Sequence, residues 1–317
     1  MKDDSDDAVL DSVYLDRVFH DDGLDTEREK LRPFDRNCIV MTAGERTDDV
    51  PVGASKLGGD PDLPEYVEWP LGGDGAPLTL VAQVDLAGTH PFDFADELPG
   101  SGFLWVFYDV RDQPWGFKPE HQYGHRVIYA DCGAGDLQRR VHPVDVRVLK
   151  SEMMETGDMV QRPLRFASRT ELPGILPTDT VDGGGMEALN ELLWDWGEGP
   201  GVSPEYFPAW HSNSEDGQGA PHKLLGYSNL EQENLDRTCA VIAKGLRADA
   251  KMTPENGFTP EVVAEIRRDA PHWCQLFQFH SQGPMYWGAE GAVYVWIRDT
   301  DLAARRFDRT QLHLQCT

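Results

Sequence analysis

Basic residues are scarce in this sequence: 29 Lys and Arg stand against 55 Asp and Glu, a formal charge of −26. A field of that sign repels phosphate backbones and anionic lipid surfaces, so neither nucleic-acid binding through a basic groove nor membrane docking is expected. Long apolar runs are missing too. No stretch approaches the ~18 residues of a membrane-spanning helix, and the acidic opening Met1-Lys2-Asp3-Asp4-Ser5-Asp6-Asp7 lacks the apolar region of a secretory signal. Cysteines are few and scattered: Cys38, Cys132, Cys239, Cys274 and Cys316 are odd in number and never spaced C-x-x-C. That fits reduced, mostly buried thiols in a cytoplasmic protein better than a disulfide framework or a structural zinc site.

Signatures of common chemistries are also absent. No G-x-S-x-G elbow occurs, so a hydrolase triad is not indicated. Asp182-Gly183-Gly184-Gly185 precedes a helical pattern, but no Lys-Ser/Thr pair follows, and a linker is the plainer reading. His121 and His125 stand four apart, yet Gly124 and Pro119 indicate a loop rather than a zinc-binding helix face. Asp60 and Asp62 flank Pro61 without a full calcium-loop pattern. His272 and Cys274 share a strand face, and Cys132 has acidic neighbours that disfavour a thiolate. No metal and no cofactor are expected, and no catalytic residue is assigned.

What is present is enough apolar material for a core, 40% of residues, with Gly and Pro as frequent punctuation. Residues 1–30 read as an acidic leader carrying a peripheral helix. Between 50 and 175, short β-branched and aromatic runs alternate with turn residues. Examples are Leu78–Ala82, Phe103–Val110, Arg126–Tyr129, Val144–Leu149 and Leu164–Phe166. With no helical crossovers between them, they predict antiparallel strands. Helices are predicted at Met186–Trp196, at about Leu230–Arg247, and from Thr259, where Thr caps and Pro260 opens the first turn.

Three blocks recur in order. Lys56-Leu57-Gly58-Gly59 matches Lys223-Leu224-Leu225-Gly226. Leu80-Val81-Ala82-Gln83-Val84 matches Gln275-Leu276-Phe277-Gln278-Phe279. Gly102–Phe107 matches Gly291–Trp296. The second Lys-to-Gln interval is about twice the first, and the excess contains two predicted helices. The expected fold is therefore α+β, mainly antiparallel β and roll-like, with an internal two-half pseudo-repeat (about 50–175 and 220–317) and a few peripheral helices. A Gln inside an apolar strand costs about 1–3 kcal/mol unless it is bonded. Gln83 and Gln278 therefore bond adjoining backbone, bond each other, or face a ligand. Lys56 and Lys223 either hold an anion or pin their own turns to an acidic residue.

The blocks also resemble a known family. Lys56–Gly59 with Pro61, Leu63-Pro64 and Trp69-Pro70, then Leu80–Leu86, Lys223–Tyr227, and Trp287-Gly288 through Leu314-Gln315-Cys316 are similar to the YwqG-like family. The resemblance covers about 50–317 and implies one domain over 31–317, a duplicated β fold and a bacterial cytosolic protein. It implies no reaction. Phe279-His280 and Ala289 stand where the family pattern has acidic residues, and 231–272 is longer and more helical than that pattern.

Large aromatics beside Gly and Pro, among them Trp69, Trp115, Trp210 and Trp287, either cap a core edge or present rigid apolar surface to a partner. The leading expectation is a non-enzymatic protein- or ligand-binding module, immunity-like or regulatory, with another protein as partner at Trp69, Trp115 and Trp287. The alternative is a small-molecule enzyme or sensor whose site lies between the halves at Lys56, Gln83, Lys223 and Gln278.

Overall fold

Strands β4 (Thr79–Asp85), β5 (Phe103–Tyr108), β10 (Trp273–His280) and β11 (Ala292–Arg298) are almost unbroken runs of buried residues. Such runs belong to strands covered on both faces. The computed structural model describes residues 12–21, 23, 25–144, 161–173, 222–232, 234–282 and 285–317. The leader before Ser12, the expected helix at Met186–Trp196, the strand residues beyond Val144 and Trp210 lie outside the described residues.

Among the described residues there are eight further strands: β1 (Arg36–Ala43), β2 (Lys56–Leu57), β3 (Asp62–Pro64), β6 (His125–Ala130), β7 (Leu137–Arg139), β8 (Arg162–Glu171), β9 (His222–Leu225) and β12 (Gln311–Gln315). Ten of the strands form one sheet in the order β12-β11-β10-β9-β1-β8-β2-β4-β5-β6, and β3 pairs with β7 separately. Every pairing is antiparallel. The long pair β1–β8 sits at the centre, and four strands extend from each side of it.

Alternation sorts the side chains into two faces. Val84, Leu104, Val106 and Tyr108 join Phe277, Phe279, Val293, Val295 and Leu314 in one core shared by both ends of the sheet. On the other face, Leu80, Phe103, Trp105 and Phe107 pack under β3 and β7. There, too, Trp273, Tyr294 and Trp296 are covered by the helices Leu235–Ala243 and Pro260–Asp269. The second helix opens as expected, the Thr259 hydroxyl accepting from the Val262 amide at 3.4 Å. Before β1, helices Ser12–Asp21 and Asp25–Leu31 are tied together by Arg28, which donates to Asp16 at 2.7 Å and to both oxygens of Asp35.

The sheet curls until its edge strands nearly meet. The 3-10 helix Pro119–Gly124 before β6 bridges to β12. Leu312 donates its amide to Gln122 Oε1 at 3.0 Å, and Gln122 Nε2 donates back to the Leu312 carbonyl at 3.4 Å. The Leu314 amide bonds to the Trp115 carbonyl at 3.2 Å. A side-chain amide and a loop carbonyl thus satisfy an edge that would otherwise expose unpaired groups. Gly116 permits this approach: at φ +89 a Cβ there would lie 2.3 Å from the Leu312 carbonyl oxygen.

Among the described residues four histidines are buried, His125, His222, His280 and His313. Burial lowers His125 to about 4, and His280 and His313 to about 3. They stay neutral when folded but take up a proton below about pH 6.5 when unfolded. Folding stability is therefore full above pH 6.5 and falls as pH drops toward 4, by about 1–2 kcal/mol per histidine at pH 5. Urea unfolding should show a lower midpoint at pH 5 than at pH 7.5, and His313→Asn should flatten the difference. Equal midpoints at the two pH values would contradict neutral burial.

Candidate functional site

Lys56 is fully buried, and its register partner across β2–β4 is Gln83. The Lys56 ammonium donates to the Asp60 carbonyl at 2.6 Å and lies 3.3 Å from Asp62 Oδ2. Gln83 is used at both ends of its amide. Its oxygen accepts from the Asp62 amide at 2.8 Å and from the Trp105 indole at 3.0 Å, and its nitrogen donates to the Asp62 carboxylate at 2.9 Å. Arg139 closes the cluster on Asp62 at 2.8 Å. Burial pushes the Asp62 carboxyl up, but the bonds from Arg139, Gln83 and the Gly53 amide, with Lys56 beside it, outweigh this and hold it below the ordinary carboxylate range.

Lys223 and Gln278 stand in the same relation across β9–β10. Lys223 donates to the Tyr227 carbonyl at 3.0 Å, the same four-residue step as Lys56 to Asp60. The Gln278 oxygen accepts from the Asn229 amide at 2.8 Å, and its nitrogen donates to Asn229 Oδ1 at 3.1 Å. Turn geometry agrees as well: Gly58 and Gly59 have φ +60 and +71, Leu225 and Gly226 have φ +62 and +74. Each Gln follows a register shift in its strand, at Leu80/Ala82 and at Gln275/Phe277.

The clusters differ in where the negative charge comes from. Asn229, a neutral amide, occupies the position that Asp62 holds in the first cluster. Lys223 pairs instead with Glu171 of β8 at 2.8 Å, and Arg169 bonds the same carboxylate. Burial pushes Glu171 up, yet the charges of Lys223 and Arg169, with a bond from the Tyr227 amide, hold it down at about 2. Gly226 makes room for this: a Cβ there would lie 2.6 Å from Glu171 Oε2.

Each lysine therefore pins its own turn, and each Gln bonds adjoining backbone rather than the other Gln. The four residues expected around one site lie in two clusters on opposite sides of β1–β8. Glu171, Arg169 and Arg139 were missed by sequence reasoning. Their only signal was that a buried Lys needs a counter-charge, and pairing across distant strands supplies it.

The three tryptophans are also separated. Trp287, expected at a partner-facing surface, is fully buried and packs edge-on against Tyr108 at 5.7 Å. That expectation is corrected: the Gly-rich loop turns Trp287 inward to fill the shared core. Trp69 is half-buried. Its indole donates to the Leu78 carbonyl at 2.9 Å, and its ring meets Phe107 and His142 edge-on. Trp115, also half-buried, stacks on Phe117 at the seam. His121 and His125 bond different elements, Gly116 and Thr310. His272 pairs with Asp299, whereas Cys274 donates to Ile297. Among the described residues no group of three or more His, Cys, Asp or Glu could hold a metal, and no helix is long and apolar enough to cross a membrane.

Surface chemistry concentrates around β3 and β7. Among the described residues ten large apolar side chains are exposed, and four of them lie in the segments that follow β3 and β7. Tyr66 (70% exposed) and Leu71 follow β3, and Val141 (77%) and Val144 follow β7. Val52 adjoins Gly53, whose amide bonds Asp62, and Tyr123 packs against Gly73.

A nearly closed antiparallel sheet that holds two buried lysine–amide clusters defines the architecture. Residues 55–316 match the family described as a domain of unknown function (DUF1963), and the chain belongs to that family. No curated protein matches the chain.

Proposed function

We propose that this chain is a non-enzymatic protein-binding module of the cytoplasm, with its contact face on β3, β7 and the segments beside them. The observation that carries the reading is the concentration of exposed apolar side chains there, Tyr66 and Val141 above all. Exposed apolar side chains gathered in neighbouring segments support a reading as a contact surface. The rival enzyme or sensor reading would use Lys56, Gln83, Lys223 and Gln278. All four are fully buried, and their bonds hold their own turns, which favours the binding module. To test this, a Tyr66→Ser/Val141→Ser variant is compared with the parent chain in affinity capture, with thermal unfolding of both recorded. The reading expects an equally stable variant that loses a stoichiometric partner held by the parent. Identical retained proteins from two folded baits would end it.

The same reading includes the family resemblance to YwqG-like proteins and a duplicated architecture. The mirrored strand order about β1–β8 and the matched bonds of the two clusters support duplication. If the halves are equivalent, a carboxylate at 229 does what Asp62 does. Glu171→Gln leaves the fully buried Lys223 and the partly buried Arg169 without a counter-charge and should cost about 3–5 kcal/mol. Adding Asn229→Asp should restore at least about 1 kcal/mol, although alone it should destabilise. A double variant no more stable than Glu171→Gln in urea unfolding would argue against equivalence.

A further inference from the structure

We infer that the seam between β12 and the loop and 3-10 helix before β6 is a proton-sensitive clasp, closed while His121, His125 and His313 are neutral and released when they take up protons. The seam bonds run from Gln122 and Trp115 to Leu312 and Leu314, and the three imidazoles flank them. His121 Nδ1 accepts from the Gly116 amide at 3.1 Å, which holds the loop whose close approach to Leu312 this glycine permits. His125 reaches from β6 to the residue before β12, its Nε2 donating to the Thr310 carbonyl at 3.2 Å. His313 lies within β12. Its Nε2 meets the Cys239 sulfur at 3.3 Å, and its Nδ1 faces Gly116 so closely that a Cβ there would lie 2.6 Å away. Gly116 therefore lies against two of the three rings.

Each place requires a neutral ring. Protonated His121 has no lone pair at Nδ1 for the Gly116 amide, and two N–H groups would then face each other. His125 and His313 are buried, so a charge on either would be taken out of water. The groups that act on these two rings are cations or become cations: Arg126 beside His125, and His125 and His121 beside His313. Around His121 stand Lys118 and Glu120 from its own segment, and Arg247 and Asp249, which pair with each other. Burial lowers His121 below its ordinary range, and Lys118 adds to the shift. A freed histidine returns to about 6.5, so the closed seam is fully stabilised above pH 6.5 and loses stability as pH falls. For His125, held at about 4 when closed, the opening equilibrium rises about 25-fold from pH 7.5 to pH 5. The central pair β1–β8 contains no histidine, and its Glu171 stays ionised at pH 5. The seam consequently yields before the centre. Opening bares the outer edge of β12 at Leu312 and Leu314, and an unpaired edge is a template for another strand.

Hydrogen exchange of the full chain, read by peptide mass spectrometry at pH 7.5 and pH 5 with labelling times scaled to the intrinsic rates, tests the clasp. Protection of peptides covering 112–124 and 310–317 should fall at least about tenfold more than that of peptides covering β1 and β8. His125→Gln keeps a donor where Nε2 stands but does not titrate, and it should shrink this excess at least about fivefold. His121→Asn keeps an acceptor for Gly116 on a partly exposed side chain, and it should shrink the excess in the same direction. The two variants read independently, so either suffices where the other does not fold. His90→Asn, at an exposed histidine outside the seam, should leave the excess unchanged. An equal fall in the seam and the central strands would mean that acid acts on the whole fold, and it would overturn the clasp. So would a seam whose protection does not fall, or an excess that neither seam variant reduces.

Discussion

Burying an ammonium group is the constraint around which this structure is arranged. A lysine taken out of water must find a counter-charge and carbonyl oxygens, or the fold loses several kcal/mol. Lys56 and Lys223 meet that demand by gathering their own turns, a strand glutamine and one carboxylate each. Each cluster consequently locks a left-handed turn to the strand beside it. Glu171 extends the second lock to β8, so the central strand pair is tied to the outer sheet by charge as well as by its ladder.

With the sheet fixed at these two points, closure follows from its edges. The strands are apolar on both faces, so both must be covered. Curling buries one face in the shared core; helices and the β3–β7 pair cover the other. Gln122 and Gly116 complete the curl by bringing a loop onto β12. The polar groups of the two lysine–glutamine clusters are spent on their own turns, and the outer surface is the face proposed for recognition. The β3–β7 cover carries the exposed Tyr66 ring on that surface.

Much of this was legible from the residues. Turn residues between short β-branched runs marked the antiparallel strands, and Thr259-Pro260 marked a helix start. The recurring Lys and Gln blocks located both clusters, because a Gln within an apolar strand has to be bonded locally. What was not legible depended on contacts distant in sequence. Glu171 serves Lys223 from another strand, and Gln122 acts as a substitute strand through its side chain. Trp287 was misplaced for a related reason: Gly beside Trp signals a loop, but not whether the loop faces in or out. Tyr66 carried a faint signal, an aromatic between Glu65 and Glu68, and Val141 carried none.

The account is tested most directly by lysine reactivity. Limited acetylation of the native chain, followed by peptide mass spectrometry, compares Lys56 and Lys223 with exposed Lys30 and Lys251. The account predicts that Lys30 and Lys251 react quickly, whereas Lys56 and Lys223 stay unmodified until the chain is unfolded. If either buried lysine reacts as fast as Lys251, it is open to solvent, and a ligand site at the clusters becomes the better reading.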